Sequence, residues 1–202
     1  AAEWSSRISR QENRFVIHES LLTLGSTAID LSGVYEHGSR ARLQLRARSD
    51  RSNLSELIQL FPAMQGVRAT GNLHGEVLAS KLLIGDSAWN MNGKLEISEA
   101  ELSRGNSRKL ERLSASLWLL GKQARIADAA FRVRSSDIEM KGAVADLAIP
   151  TLTLELSSAN LHLVDLADFP VAKSDRLQNV RLSGKLTFEN GTPWLRGTVS
   201  SP

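Results

Sequence analysis

Arg40-Ala41-Arg42-Leu43-Gln44-Leu45-Arg46-Ala47-Arg48 alternates without a fault, with Ala41, Leu43, Leu45 and Ala47 apolar and the residues between them polar. A period of two places the apolar side chains on one face of an extended strand and the arginines on the other. Such a strand belongs to an antiparallel sheet that is oily on one side and wet on the other. The reading extends to Phe131 and Val133 against Arg132 and Arg134, and to Ile138 and Met140 against Asp137, Glu139 and Lys141. Leu152, Leu154 and Leu156 likewise alternate with Thr151, Thr153 and Glu155.

Around this strand the chain nearly repeats itself. Residues 17–60 are echoed by residues 126–169 at a constant offset (126 − 17 = 109). Ile17 falls on Ile126, Leu22 on Phe131, Leu24 on Val133 and Ser26 on Ser135. Ile29, Leu31 and Gly33 fall on Ile138, Met140 and Gly142, and Ser49 falls on Ser158. After a one-residue deletion, Phe61-Pro62 meets Phe169-Pro170. The repeat carries an apolar rhythm, not a set of reactive side chains, so it predicts modular β structure.

Short turns separate the strands at Gly25-Ser26, His37-Gly38, Gly85-Asp86, Gly121-Lys122 and Asn190-Gly191. The last has the positive-φ tolerance of a two-residue hairpin. Gly71, Gly93 and Gly184 sit inside strand patterns, where glycine marks a bulge or bend. Residues 53–61 carry helical spacing behind an Asn53 N-cap and stop at Pro62, and residues 161–169 copy them. A third helix is expected over residues 107–113. The fold class is therefore mostly β: a long, curved antiparallel meander punctuated by short helices, forming either an open groove, which the resemblance given below implies, or a closed β-sandwich as the alternative. The expected modules are residues 1–66, 67–179 and the start of a further round at 180–202.

Composition limits function. The 202 residues are 42% hydrophobic but only 5% aromatic, so a core must be built from Leu, Ile, Val and Ala. The net charge of +3 comes with arginines scattered along strand faces, and neither a basic stripe nor an aromatic platform favours nucleic acid. Cysteine is absent, which excludes disulfides and thiolate chemistry. No apolar run approaches the roughly 18 residues needed to cross a bilayer. The opening Ala1-Ala2-Glu3-Trp4 carries no signal peptide, so the chain reads as an interior piece of something longer.

Reactive groups do not converge. His18, His37, His74 and His162 lack metal-ligand spacing. Glu96, Glu99 and Glu101 read as a solvated strand face, and phosphate loops and nucleophile elbows are missing. The reading is of a non-enzyme without a metal or cofactor. Of the tryptophans, Trp89 shares parity with Met91, Leu95 and Ile97 on the oily side. Trp118 lies opposite Leu117 and Leu119 as a contact surface, and Trp4 and Trp194 suit covered module ends.

Glycine-Asn/Lys-Leu strand starts, the segment Leu43-Gln44-Leu45-Arg46-Ala47-Arg48-Ser49 and the short helix ending Leu60-Phe61-Pro62 together resemble the AsmA-like superfamily of Gram-negative envelope proteins. Met140-Lys141-Gly142-Ala143-Val144 and the strand from Leu152 to Ser158 share the likeness. The resemblance implies a β-groove reaching across the periplasm, with its parent protein anchored in the inner membrane. It implies phospholipid transfer in outer-membrane biogenesis, partnered by acyl chains and neighbouring modules of the same chain. Membrane contact would come through other parts of the parent. The candidate groove lining is Leu22, Leu24, Ile29, Leu31, Leu43, Leu45, Trp89, Phe131, Val133, Ile138, Met140, Leu152 and Leu154. The competing reading is a structural or protein-binding β repeat without a lipid ligand.

Overall fold

A computed structural model describes residues 2–60, 66–85, 87–105, 109–147, 151–159, 161–162, 165, 176–177, 180–189 and 192–200; side chains at 60, 151–152 and from 176 onward are outside that description. The alternating runs become β1 (Ala2–Gln11), β2 (Arg14–Leu24), β3 (Thr27–Glu36), β4 (Arg42–Asn53), β5 (Val67–Leu82), β6 (Asn90–Arg104), β7 (Leu110–Gly121), β8 (Gln123–Val133), β9 (Ser136–Val144) and β10 (Thr151–Ser158). Each pairs antiparallel with the next in chain order. A short β11 (Leu161–His162) and β12 (Arg176–Leu177) pair apart from this sheet, and β13 (Val180–Glu189) and β14 (Thr192–Ser200) continue it beside β10, giving twelve strands. Both ends of the strand order stay unpaired, so the sheet is open and the sandwich alternative is not what the chain adopts.

The expected helix after β4 forms as α1 (Leu54–Leu57) with a further 3-10 turn over Ile58–Leu60. Asn53 caps it, its side-chain oxygen accepting from the Ser55 N–H at 2.9 Å. So short a helix holds only by packing. Leu54 and Ile58 lie on Ala69, Leu73, Ile97, Ala100, Leu102, Leu113 and Phe131, drawn from β5 to β8. The expected helix at 161–169 falls mostly outside the described residues; Leu161 and His162 there are strand.

The helix expected over 107–113 is corrected: Leu110–Leu113 opens β7. The apolar spacing of three that resembled a helical turn is a β-bulge. Glu111 and Arg112 occupy one extra step between Leu110 and Leu113, with Arg112 at φ +53°. Among the described residues, β2, β4, β6 and β8 carry such an extra step as well.

Register sorts the side chains onto two faces, because Cα partners share a face. On the inner face one row runs Ala47, Val77, Gly93, Leu119, Ala124 and Val144 across β4 to β9. A second runs Leu73, Ile97, Ala115, Ala129, Met140 and Leu156. The bulge pairs His18-Glu19, Asp50-Arg51, Ser98-Glu99, Glu111-Arg112 and Ala127-Asp128 fall on the outer face by the same register. Inserting the extra length on the outside bends each strand and restores the apolar parity within. The exposed area, 13772 Å², exceeds the roughly 9,300 Å² expected of a compact chain of this mass.

Candidate functional site

The register puts most of the side chains that sequence parity picked out on the inner face. Leu22 pairs with Ile29, Leu45 with Gly33 and Ala79, and Leu43 with Tyr35 and Lys81. Leu22, Leu24, Ile29, Leu31, Leu43 and Leu45 are all half-buried, and among the described residues no second sheet pairs into a layer over them. Val133 and Ile138 are buried with Leu161, and Phe131 packs against them. Met140 and Leu154 are half-buried. Leu152 takes its register place between Val144 and Leu186, its side chain lying outside the described residues. Trp89 precedes β6 and stays exposed, with the Lys81 ammonium 5.9 Å from its ring centre.

The trough is graded along the strands. Toward the β2–β3 and β8–β9 turns it closes over Leu54, Ala69, Ala100, Leu113, Val133, Ile138 and Leu161. Toward the opposite strand ends it opens, and Phe15, Leu82, Leu83, Ile84 and Trp89 are exposed.

Glycines let strands crowd at the floor. A Cβ on Gly33 would collide with the Gln44 carbonyl, and one on Gly142 would sit 2.5 Å from the Thr153 carbonyl oxygen. In both places a leucine, Leu45 or Leu154, folds its Cδ2 over the glycine.

The closed end is held by a repeated polar clamp. Glu56 accepts from Ser26 N–H and Thr27 N–H, both at 2.9 Å, and from the Thr27 hydroxyl at 2.6 Å. Asp165 accepts from Ser135 N–H at 3.1 Å and from the Ser135 and Ser136 hydroxyls at 2.8 and 2.9 Å. The Thr27 hydroxyl in turn accepts from Asn53 N–H, as Ser136 does from His162 N–H. Ser49 and Ser158 donate to the Ala28 and Asp137 carbonyls. All keep the 109-residue offset found in the sequence, as does the bulge between Ile17 and Ser20, which recurs between Ile126 and Ala129. The hydrogen bond from Thr27, then those from Ser26, hold the Glu56 carboxyl below its ordinary value. At Asp165 burial pushes upward, but the Ser135 and Ser136 hydrogen bonds outweigh it and the net direction is down. Sequence matching had found Ser26/Ser135 without their carboxylate partners and Ser49/Ser158 without the carbonyls they meet.

The outer face is polar and paired. Arg46 meets Glu76 at 2.7 Å, Arg132 meets Asp137 at 2.6 Å, and Lys94 meets Glu96. Trp118 stands here, as its parity required, with Lys94 5.4 Å from its ring centre. An open hollow of about 720 Å³ on this face lies over Val16, Val34 and Leu78, with Arg42 and Arg46 at its edge. Nothing in the sequence had marked it. Glu76 neutralises Arg46, and Arg42 lies against the Gln44 amide.

The histidines are dispersed: His18 bonds Ser9, His37 lies by Tyr35, and His74 bonds the Asp50 carbonyl. Among the described residues no group of His, Asp and Glu could hold a metal, and no helix is long and apolar enough to cross a membrane. Comparison with protein-family models, curated proteins and solved structures finds no match to this chain.

Proposed function

We propose that this chain is a non-enzymatic lipid-binding and transfer module whose inner face carries phospholipid acyl chains. The observation that carries this reading is the inner face itself: apolar rows running from strand to strand, covered by α1 and Leu161 toward the closed end but, among the described residues, left half-buried at Leu22, Leu24, Ile29, Leu31, Leu43 and Leu45. A sheet with one oily face must cover it with protein or with ligand. A 16-carbon chain left in water costs roughly 12 kcal/mol at about 0.8 kcal/mol per methylene. Rows that repeat at every strand offer that chain equivalent seats, so it can slide without a deep trap. The likeness to the AsmA-like superfamily supports the same reading. On that likeness the proposal extends to a periplasmic module of a longer inner-membrane-anchored chain that serves outer-membrane biogenesis and continues the groove with neighbouring modules.

Native mass spectrometry of the purified chain tests it. Stoichiometric phospholipid, absent from a Leu45→Glu variant that keeps its thermal midpoint, is the expected result. A bare protein mass with no uptake of added phospholipid would sink the carrier reading. It would favour a structural module that adds strands at its edge, which the exposed Trp4 and Ile8 of edge strand β1 make the natural second reading.

A further inference from the structure

The open end of the trough carries an apolar feature that the groove does not use. Leu82 at the end of β5, and Leu83 and Ile84 in the β5–β6 connection, are 50%, 45% and 50% exposed, followed by Trp89 at 38%. Leu120, beside the neighbouring β7–β8 turn, is 53% exposed. Large apolar side chains clustered on one edge are uncommon on a surface that meets only water. The loop holding them is pinned. Leu83 N–H donates to the Ala41 carbonyl at 2.8 Å, and the Ser87 hydroxyl donates to the Leu82 carbonyl. Adjacent rim loops are stitched similarly, Leu147 N–H to the Lys122 carbonyl and His37 N–H to the Asn13 carbonyl. A small apolar hollow of about 200 Å³ beside Trp89, Met91 and Leu147 continues the same edge.

Charge identifies the occupant. Arg42 pairs across from Leu82, Lys81 lies 5.9 Å from the Trp89 ring centre, and Lys122 lines the hollow beside Trp89 together with one carboxylate, Asp146, while Glu36 is held by Arg14 at 3.0 Å. Aliphatic side chains flanked by a tryptophan and cations match the layering of a bilayer surface, with its acyl boundary, interfacial belt and anionic headgroups. A soluble protein partner would offer no reason for that order of apolar tip, aromatic and cationic collar.

We infer that this rim, centred on Leu83, Ile84 and Trp89, docks the open side of the trough onto anionic phospholipid bilayers. The inference deepens the lipid-carrier reading and rests on it for its purpose: docking there brings the mouth of the trough to the acyl chains.

Flotation of the whole chain with phosphatidylcholine vesicles, with and without phosphatidylglycerol, tests it. The chain should float with the anionic vesicles and scarcely with phosphatidylcholine alone. The emission component lost in Trp89→Phe should be quenched by brominated acyl chains. A Leu83→Asp/Ile84→Asp variant, altered only at exposed sites, should keep its thermal midpoint and bind on the order of tenfold more weakly or worse. Failure of the parent to float, or equal flotation of parent and variant, overturns the inference; so does flotation indifferent to phosphatidylglycerol. The Leu45→Glu protein separates the two readings, because it should still float while extracting no lipid. Docking without any lipid uptake by the parent would remove the carrier reading and leave the membrane edge standing.

Discussion

Arg134 and Gly25 are equivalent positions in the two repeats, and both hold a left-handed backbone, at φ +54° and +61°. Glycine adopts it freely, whereas arginine is strained there. Replacing Arg134→Gly should therefore stabilise the protein by about 1 kcal/mol, read as a higher urea midpoint with unchanged slope. At the neighbouring clamp, Asp165 is only 3% exposed and accepts from three groups of Ser135 and Ser136. Asp165→Ala leaves those donors without their acceptor and should cost about 1–3 kcal/mol in the same measurement. Both clamp carboxyls are held below their ordinary values when folded. Their contribution is thus complete above the ordinary carboxylate range and fades as pH falls through the depressed folded values. A Glu56→Gln/Asp165→Asn protein should show a flatter loss of stability with acid, and a profile parallel to the parent's would refute the assignment. The serines of this clamp were visible in the repeat, but the carboxylates were not. A Glu matched by an Asp thirty residues downstream looks like any solvated acid, and only the closed loop brings it back to the turn.

At the level of elements, the alternation of Leu43 and Leu45 with arginines was enough to assign β4, its faces and its neighbours' faces. Of the bulges only the β6 step opposite Gly71 had a signal in the sequence, the strand glycine itself; Gly93 and Gly184 pair in regular register, and the other bulges were not legible. In sequence, His18-Glu19 is merely two polar residues where one was due, and Leu110 to Leu113 imitates a helical step. The pairing partner decides, because only the opposite strand shows that two residues face one. This makes the bulge residues matter by number more than by identity. Deleting Glu19 should turn Leu22 and Leu24 to the outer face or force β2 out of register, costing about 2–3 kcal/mol through lost apolar burial. Glu19→Ala should be nearly silent. Thermal melts of the two proteins decide, and equal midpoints would contradict the role given to the extra residue.

As a whole molecule the chain keeps more surface in water than a compact protein of its mass. Measured against an extended chain, the area buried on folding is roughly 20% smaller than for a compact fold. The urea dependence of unfolding scales with that area. Its slope should therefore fall about one fifth below that of compact domains of this length, unless bound phospholipid adds to the buried surface. The leucine parity made the antiparallel meander readable, but not its openness: the same parity and low aromatic content suit a closed sandwich, and only the resemblance to the AsmA-like superfamily favoured a groove. The membrane-facing rim was not readable either, because Leu82-Leu83-Ile84 reads in sequence as the end of one more strand and only the fold puts it at the mouth.

The strand pairing also sets a unit of distance. Equivalent features such as the two clamps recur six strands apart in the sheet order, β2 to β8 and β3 to β9. Paired strands lie about 4.8 Å apart, so one round of the repeat advances about 29 Å. That is close to the thickness of a bilayer's hydrocarbon core, about 30 Å. A chain assembled from such rounds is a ruler whose graduations are strands. Its reach across any gap would follow from counting turns, and adding or removing one round would change that reach by a fixed step without altering the track inside.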